Sequence, residues 1–222
     1  VAKKDSATSF VTKSGKVLNH LDPRFQEIML MSEGFIGVKI DYKYGFVDPN
    51  GDLRIANRYD DIGRFNEGLA PVKILGKWGF VNKAEHLIIQ PRYDDIPAYY
   101  NGLFLVKQNG KYGLIDPRGN AIVRIEFDNI QRIESSGAYI CKLNDKYGLI
   151  GRNGSMKVLP RFDHIQDLNN GYIIVSRKNK YGILSSDGMD VIPMMYDNIL
   201  YDSANDLYIC KEESQWKEYV VK

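Results

Sequence analysis

Cysteine is nearly missing from this chain: there are two in 222 residues, with only eight prolines and three histidines. Two thiols cannot make a disulfide framework, so a fold of this size must rest on a packed core. His20, His86 and His164 stand at unrelated spacings, whereas a zinc site needs convergent ligands. Charge of one sign is also lacking, because 30 basic and 28 acidic residues leave a net charge of +2. No field strong enough to recruit nucleic acid by counterion release is expected. No apolar run approaches the roughly 18 to 20 residues of a membrane helix, and helical periodicity is nowhere sustained. No Ser or Cys sits in a nucleophile-elbow pattern, and no cofactor motif is present. The polar opening Val1-Ala2-Lys3-Lys4-Asp5-Ser6 lacks an initiator Met, which points to a preceding segment that has been removed.

What the chain has is a phrase that returns. Lys, aromatic, Gly, apolar, apolar appears as Lys43-Tyr44-Gly45-Phe46-Val47, Lys77-Trp78-Gly79-Phe80-Val81, Lys111-Tyr112-Gly113-Leu114-Ile115, Lys146-Tyr147-Gly148-Leu149-Ile150 and Lys180-Tyr181-Gly182-Ile183-Leu184, at spacings of 34, 34, 35 and 34 residues. A fixed period in that range marks an array of like units that stack to bury a face one unit alone would expose. Apolar residues at 44% and charged ones at 26% allow such a core, and no composition break marks a linker. The reading is one domain over 1–222, with units 8–42, 43–76, 77–110, 111–145, 146–179 and 180–214 and a closing strand at 215–222.

Residues 43–76 show the unit. Tyr44 to Asp48 is apolar and aromatic, Pro49-Asn50-Gly51 turns the chain, and Asp52-Leu53-Arg54-Ile55 returns with polar and apolar residues alternating. After a longer connection around Tyr59-Asp60-Asp61, Asn66-Glu67-Gly68 leads into a third strand, Leu69 to Ile74. The fold class is therefore all-β: a tandem array of three-stranded antiparallel meanders. Seven copies of the first strand stand against six of the other two, which favours an open, twisted β-solenoid. A six-bladed β-propeller closed by overlapping termini is the alternative.

On these residues the chain resembles the WG repeat proteins, found mainly in bacteria, whose units of about 35 residues read K-W-G-[FY]-[IV]-D-x-x-G-x-x-[VI]-I-x-P-x-[YF]-D. Lys43 to Asp61 and Lys77 to Asp95 match best; the Trp is usually Tyr here, and the Pro survives only as Pro91, Pro160 and Pro193. Choline- and glucan-binding cell-wall repeats also alternate Trp, Gly and Tyr, but their units are shorter, about 20 residues. The resemblance implies a β-repeat scaffold serving in binding or assembly. Its motif holds no catalytic residue, so none is carried over.

Each column has a structural reading and a chemical one. The rings Tyr44, Trp78, Tyr112, Tyr147 and Tyr181 would stack sugars or peptide if exposed; a residue present in every unit is better explained by packing, with the Gly admitting a second backbone. Asp60, Asp94, Asp128, Asp163 and Asp197 lack the carboxylate density of a calcium site and read as turn caps. Lys39, Lys73, Lys107, Lys142 and Lys211, with Ser176 as the exception, form a basic column suited to protecting strand edges. Cys141 and Cys210 share a column with Val38, Val72, Val106 and Val175, and one unit lies between them. A disulfide needs Cα atoms within about 7 Å, so free, buried thiols are expected; these suit a reducing compartment only weakly.

Function follows as an expectation: a non-catalytic scaffold for protein or peptide partners, with no cofactor and no metal. Glycan or cell-surface ligand binding is the alternative. Residues that differ between units are the candidate contacts, namely Tyr42, Tyr99, Tyr100 and Tyr201.

Overall fold

The computed structural model describes residues 2–4, 7–11, 17–20 and 22–219. Every regular element among them is a β-strand. The chain divides into two compact units, the first running to Asn109 and including Ile115–Asn120, the second comprising Gly110–Leu114 and the residues from Ala121 onward.

In the first unit, β1 (Ala2–Lys4), β2 (Ala7–Val11) and β3 (Val17–His20) make a three-stranded antiparallel sheet. Two four-stranded sheets follow, each a simple up-and-down meander. One is β4 (Glu27–Ile28), β5 (Ile36–Ile40), β6 (Lys43–Val47) and β7 (Leu53–Tyr59). The next is β8 (Asp61–Ile62), β9 (Leu69–Ile74), β10 (Lys77–Asn82) and β11 (Leu87–Tyr93). A hairpin of β12 (Asp95–Tyr100) and β13 (Leu103–Gln108) then pairs in antiparallel register.

The chain continues through β14 (Lys111–Ile115) and β15 (Ala121–Phe127). The second unit then repeats the four-stranded sheet as β16 (Asn129–Arg132), β17 (Tyr139–Leu143), β18 (Lys146–Ile150) and β19 (Met156–Phe162). It repeats again as β20 (His164–Asp167), β21 (Tyr172–Arg177), β22 (Lys180–Ser185) and β23 (Asp190–Tyr196). The last sheet has three strands, β24 (Asn198–Asp202), β25 (Leu207–Glu212) and β26 (Gln215–Tyr219).

The all-β tandem array read from the sequence is present, with one addition. The expected long connection after each Tyr-Asp is instead a crossing of one residue, such as Asp60 between β7 and β8, followed by a short extra strand. The three-stranded meander thus becomes a four-stranded sheet. The repeat and the sheet are also out of phase: residues 43–76 give β6 and β7 to one sheet and β8 and β9 to its successor.

This offset puts the core between successive sheets. Phe46, Ile55 and Tyr59 of one sheet are buried with Ile62, Phe65, Ala70, Val72 and Val81 of the next. Phe46 and Phe65 meet edge to face, with ring centroids 4.9 Å apart. In the second unit Leu149, Val158 and Phe162 pack against Ile173, Val175 and Leu184, and Ile183, Ile192 and Tyr196 against Ile199, Tyr208 and Cys210. Burying each such side chain is worth about 1.5 to 3 kcal/mol, and no sheet could gain this alone.

The glycine of the recurring phrase is fixed by a bulge. Trp78 pairs with Tyr93 and Phe80 with Ile89, so Gly79 faces three residues of β11 across a register shift. A Cβ on Gly79 would meet the Ile89 carbonyl and the Pro91 nitrogen; Gly45, Gly113, Gly148 and Gly182 are crowded by backbone in the same way. The β11 backbone leans in here, and Pro91, which has no N–H to pair, is tolerated at the bulge.

Candidate functional site

One end of each sheet carries the recurring charges, and the geometry shows what they do. Lys43 Nζ lies 2.5 Å from Asp60 Oδ1 and Lys180 Nζ 2.5 Å from Asp197 Oδ1. Lys77 pairs with Asp94, Lys111 with Asp128 and Lys146 with Asp163 in the same manner. In Asp128, Asp163 and Asp197 the second oxygen is used as well. Asp128 Oδ2 accepts the Asn144 N–H at 2.8 Å, Asp163 Oδ2 the Lys178 N–H at 2.7 Å and Asp197 Oδ2 the Glu213 N–H at 2.8 Å.

These N–H groups belong to the hairpin turn of the following sheet. Asp128, Asp163 and Asp197 therefore each cap a turn, as their sequence suggests, and also tie that turn to a lysine of the preceding sheet. The lysine pairing was missed in the sequence, although a signal was there: every such pair is 17 residues apart. The lysine first, and the turn N–H groups with it, hold the carboxyls of Asp60, Asp128, Asp163 and Asp197 below the usual carboxylate range.

The second lysine column covers the rings. Lys39 Nζ lies 4.9 Å from the centre of the Tyr44 ring, Lys73 5.6 Å from Trp78, Lys142 5.7 Å from Tyr147 and Lys211 5.8 Å from Trp216. In each pair the two residues face one another across a hairpin, which brings cation and ring together. Tyr44, Trp78, Tyr112, Tyr147 and Tyr181 are all half-buried. A column of half-buried rings, most with a lysine above, is not an open ladder for sugars.

Cys141 and Cys210 are free and wholly buried. Cys141 faces Gly148 across β17 and β18, and burial pushes both thiols up to about 11. Among the described residues no three His, Cys, Asp or Glu side chains come together as a metal site, and no helix is long and apolar enough to cross a membrane.

The four tyrosines that differ between units have different surroundings. Tyr42 is 80% exposed, in the turn between β5 and β6, with its N–H 3.0 Å from Gln26 Oε1. Tyr99 is half-buried, tilted on Phe104 at 4.8 Å. Its hydroxyl is pushed up to about 12, first by burial and then by hydrogen bonding to Glu67. Tyr100, beside it on β12, is half-buried, and Tyr201 stacks on Tyr208 at 5.0 Å with its hydroxyl donating to Asp206. Strand register places Tyr42 and the Tyr99-Tyr100 pair at opposite ends of their sheets.

A residue missed by sequence reasoning joins Tyr42. Leu75 is 93% exposed at the corresponding turn between β9 and β10. Leu75 has φ of 50°, and Asp41 and Tyr42 have 48° and 64°. These are two-residue hairpin turns with both φ values positive, a geometry that favours Asn, Asp and Gly. The sister turn Asn144-Asp145 conforms, at 49° and 59°. A bulky side chain held there costs about 1 to 2 kcal/mol, and neither Tyr42 nor Leu75 recovers it by packing in the fold.

The profile of the family described as WG containing repeat matches five tandem segments, residues 10–44, 44–78, 78–112, 112–147 and 147–181. No curated protein matches the chain. Among solved structures, Hsv2p of Kluyveromyces lactis is similar at 10% identity, covering 90% of this chain and 87% of its own, with a TM-score of 0.42. A eukaryotic initiation factor matches at 12% identity over 90% of this chain and 63% of its own, with a TM-score of 0.44. The extracellular domain of a putative one component system from B. thetaiotaomicron matches at 14% identity over 90% of this chain and 34% of its own, with a TM-score of 0.35.

Proposed function

The chain belongs to the WG-containing repeat family, and on that premise we propose that it is a non-catalytic β-repeat scaffold that docks a protein or peptide partner through turns departing from the repeat. The observation that carries this reading is the pair Tyr42 and Leu75. Both are large, exposed side chains at positive φ, where the turn geometry favours small polar residues. Strain of this kind, uncompensated within the fold, is the mark of a surface kept for contact.

The non-catalytic part is supported by the state of the recurring groups. The repeated lysines and aspartates pair between sheets, and the thiols are buried with raised pKa values, which makes them poor nucleophiles. The rings that would suit a glycan are half-buried, most of them under lysines, which favours the peptide reading over the sugar one.

A displayed random-peptide library selected on the full chain tests this. Enriched peptides should bind wild type and lose about tenfold or more in affinity on Tyr42→Asn with Leu75→Asn, since apolar anchors dominate such contacts. The same double variant should be more stable than wild type, because Asn relieves the turn strain. Undiminished binding in the double variant would sink the proposal.

A further inference from the structure

The last sheet departs from the others at two neighbouring positions. Strand register shows which residues correspond. Across β17 and β18, Cys141 faces Gly148 and Ile140 faces Leu149; across β25 and β26, Cys210 faces Lys217 and Ile209 faces Glu218. Lys217 therefore stands where the earlier copies have Gly45, Gly79, Gly113, Gly148 and Gly182. Glu218 stands where they have Phe46, Phe80, Leu114, Leu149 and Ile183, all at most 2% exposed. Lys217 and Glu218 are both exposed.

Each replacement reverses what its column does. The glycine admits the backbone of a fourth strand: a Cβ on Gly148 would stand 2.5 Å from the Val158 carbonyl oxygen, and one on Gly182 2.9 Å from that of Ile192. Lys217 has that Cβ, so β26 cannot take a fourth strand in the bulged register of β19 and β23. Its Nζ turns instead to Glu212 Oε2, 2.6 Å away. The apolar residue anchors the following sheet: Leu149 packs with Ile173 and Val175, and Ile183 with Ile199, Tyr208 and Cys210. A carboxylate there would have to shed its water, and Glu218 has no ion-pair partner among the described residues to replace it.

What these charges border is apolar. Leu200 pairs with Ile209 and Ile209 with Glu218, so the three make one row across β24, β25 and β26. Leu200 is 50% exposed and Ile209 half-buried, whereas Tyr208 and Cys210, which alternate with Ile209, are buried on the opposite face. Among the described residues β26 pairs with β25 alone. An apolar row beside a strand edge invites association between identical chains.

We propose that Lys217 and Glu218 hold off a second copy of this chain: Lys217 refuses its strand at the edge of β26, and Glu218 refuses its apolar row on the face. The second copy is the partner refused because a twofold axis would lay the Leu200–Ile209 row on its own image, apolar on apolar. The same contact would bury two Glu218 carboxylates together. This inference uses neither Tyr42 nor Leu75, so it stands or falls apart from the docking proposal.

The test gives β26 the residues of β22, as Lys217→Gly with Glu218→Ile in the full chain, and follows mass against concentration by analytical ultracentrifugation. The double variant should self-associate about tenfold or more tightly than wild type, the scale of burying one isoleucine. A peptide of residues 186–197, which contains β23, should bind the double variant and not wild type. Glu218→Lys, which keeps a charge at that place, should behave as wild type. Glu218→Ile alone gives the same reading of mass if the double variant does not fold. Folded variants that neither associate nor bind the peptide, or wild type that binds it equally, would overturn the proposal. Association without peptide binding would remove the part given to Lys217, and peptide binding without association the part given to Glu218.

Discussion

A Cβ built on Gly79 would stand 2.5 Å from the carbonyl oxygen of Ile89. Real Cβ atoms do not approach a backbone so closely, so any side chain at Gly79 must push β10 and β11 apart or erase the bulge between them. Gly76, three residues earlier, has φ of 80° and nothing within 4 Å of its Cβ position. The two glycines are retained for different reasons, and substitution separates them. Gly79→Ala should cost about 2 to 4 kcal/mol through backbone displacement, whereas Gly76→Ala should cost about 1 kcal/mol, the penalty of a left-handed residue. Urea midpoints at fixed slope measure both; equal losses would show that the close approach does not decide the stability.

Acid should loosen the joints between sheets. The carboxyls of Asp60, Asp128, Asp163 and Asp197 titrate below their usual value in the folded protein, chiefly because of their lysines. A depressed folded pKa means that the stabilisation is complete above the unfolded value, about 4, and is lost as pH falls through the folded one. Unfolding midpoints should therefore be flat above about pH 5 and decline below about pH 4. Replacing the partner lysines with Met should remove part of that slope; an unchanged slope would rule out the pairs as its source.

The thiols should be silent in the native protein. With pKa values of about 11, Cys141 and Cys210 hold roughly one thiolate in a thousand at pH 8. Both are also fully buried. Iodoacetamide labelling followed by intact-mass analysis should show no adduct on the folded chain and two once urea unfolds it. Rapid labelling of the native protein would mean that the strands carrying them open easily.

Tyr99 and Tyr42 should separate stability from contact. Tyr99→Ala removes a ring packed on Phe104 and should cost about 2 to 3 kcal/mol, while Tyr42→Ala, at 80% exposure, should leave the melting temperature within a degree or two. Tyr99 also predicts an alkaline limb. Its raised folded pKa, about 12, makes its contribution complete below the unfolded value near 10 and lost as pH climbs toward 12. Tyrosinate absorbance should show Tyr99 among the rings that ionise later than the exposed ones, and Tyr99→Phe should remove part of that late step.

The period, the strand type and the burial columns were open to reading because a side chain's face in a strand depends on local alternation, and a ring or glycine demanded in every unit repeats in every unit. Val38, Val72 and Cys141 share one column and are equally buried, as their spacing implies. The pairing of Lys43 with Asp60 was also within reach, since its 17-residue separation recurs in all five units.

Two things were settled only in three dimensions. A stretch as short as Asp61-Ile62 carries too little alternation to announce a strand, and which sheet it joins depends on the apolar face that Phe46 and Ile55 leave uncovered. A cleft lined by Gly151, Arg152 and Lys157 likewise takes in Ser186 and Asp187 of the next sheet's turn, and no local pattern records that meeting. Sequence set the strands and their repeating faces because those follow from neighbours along the chain. Tertiary packing set the phase of the sheets and the pocket, because both depend on burial between residues far apart in it.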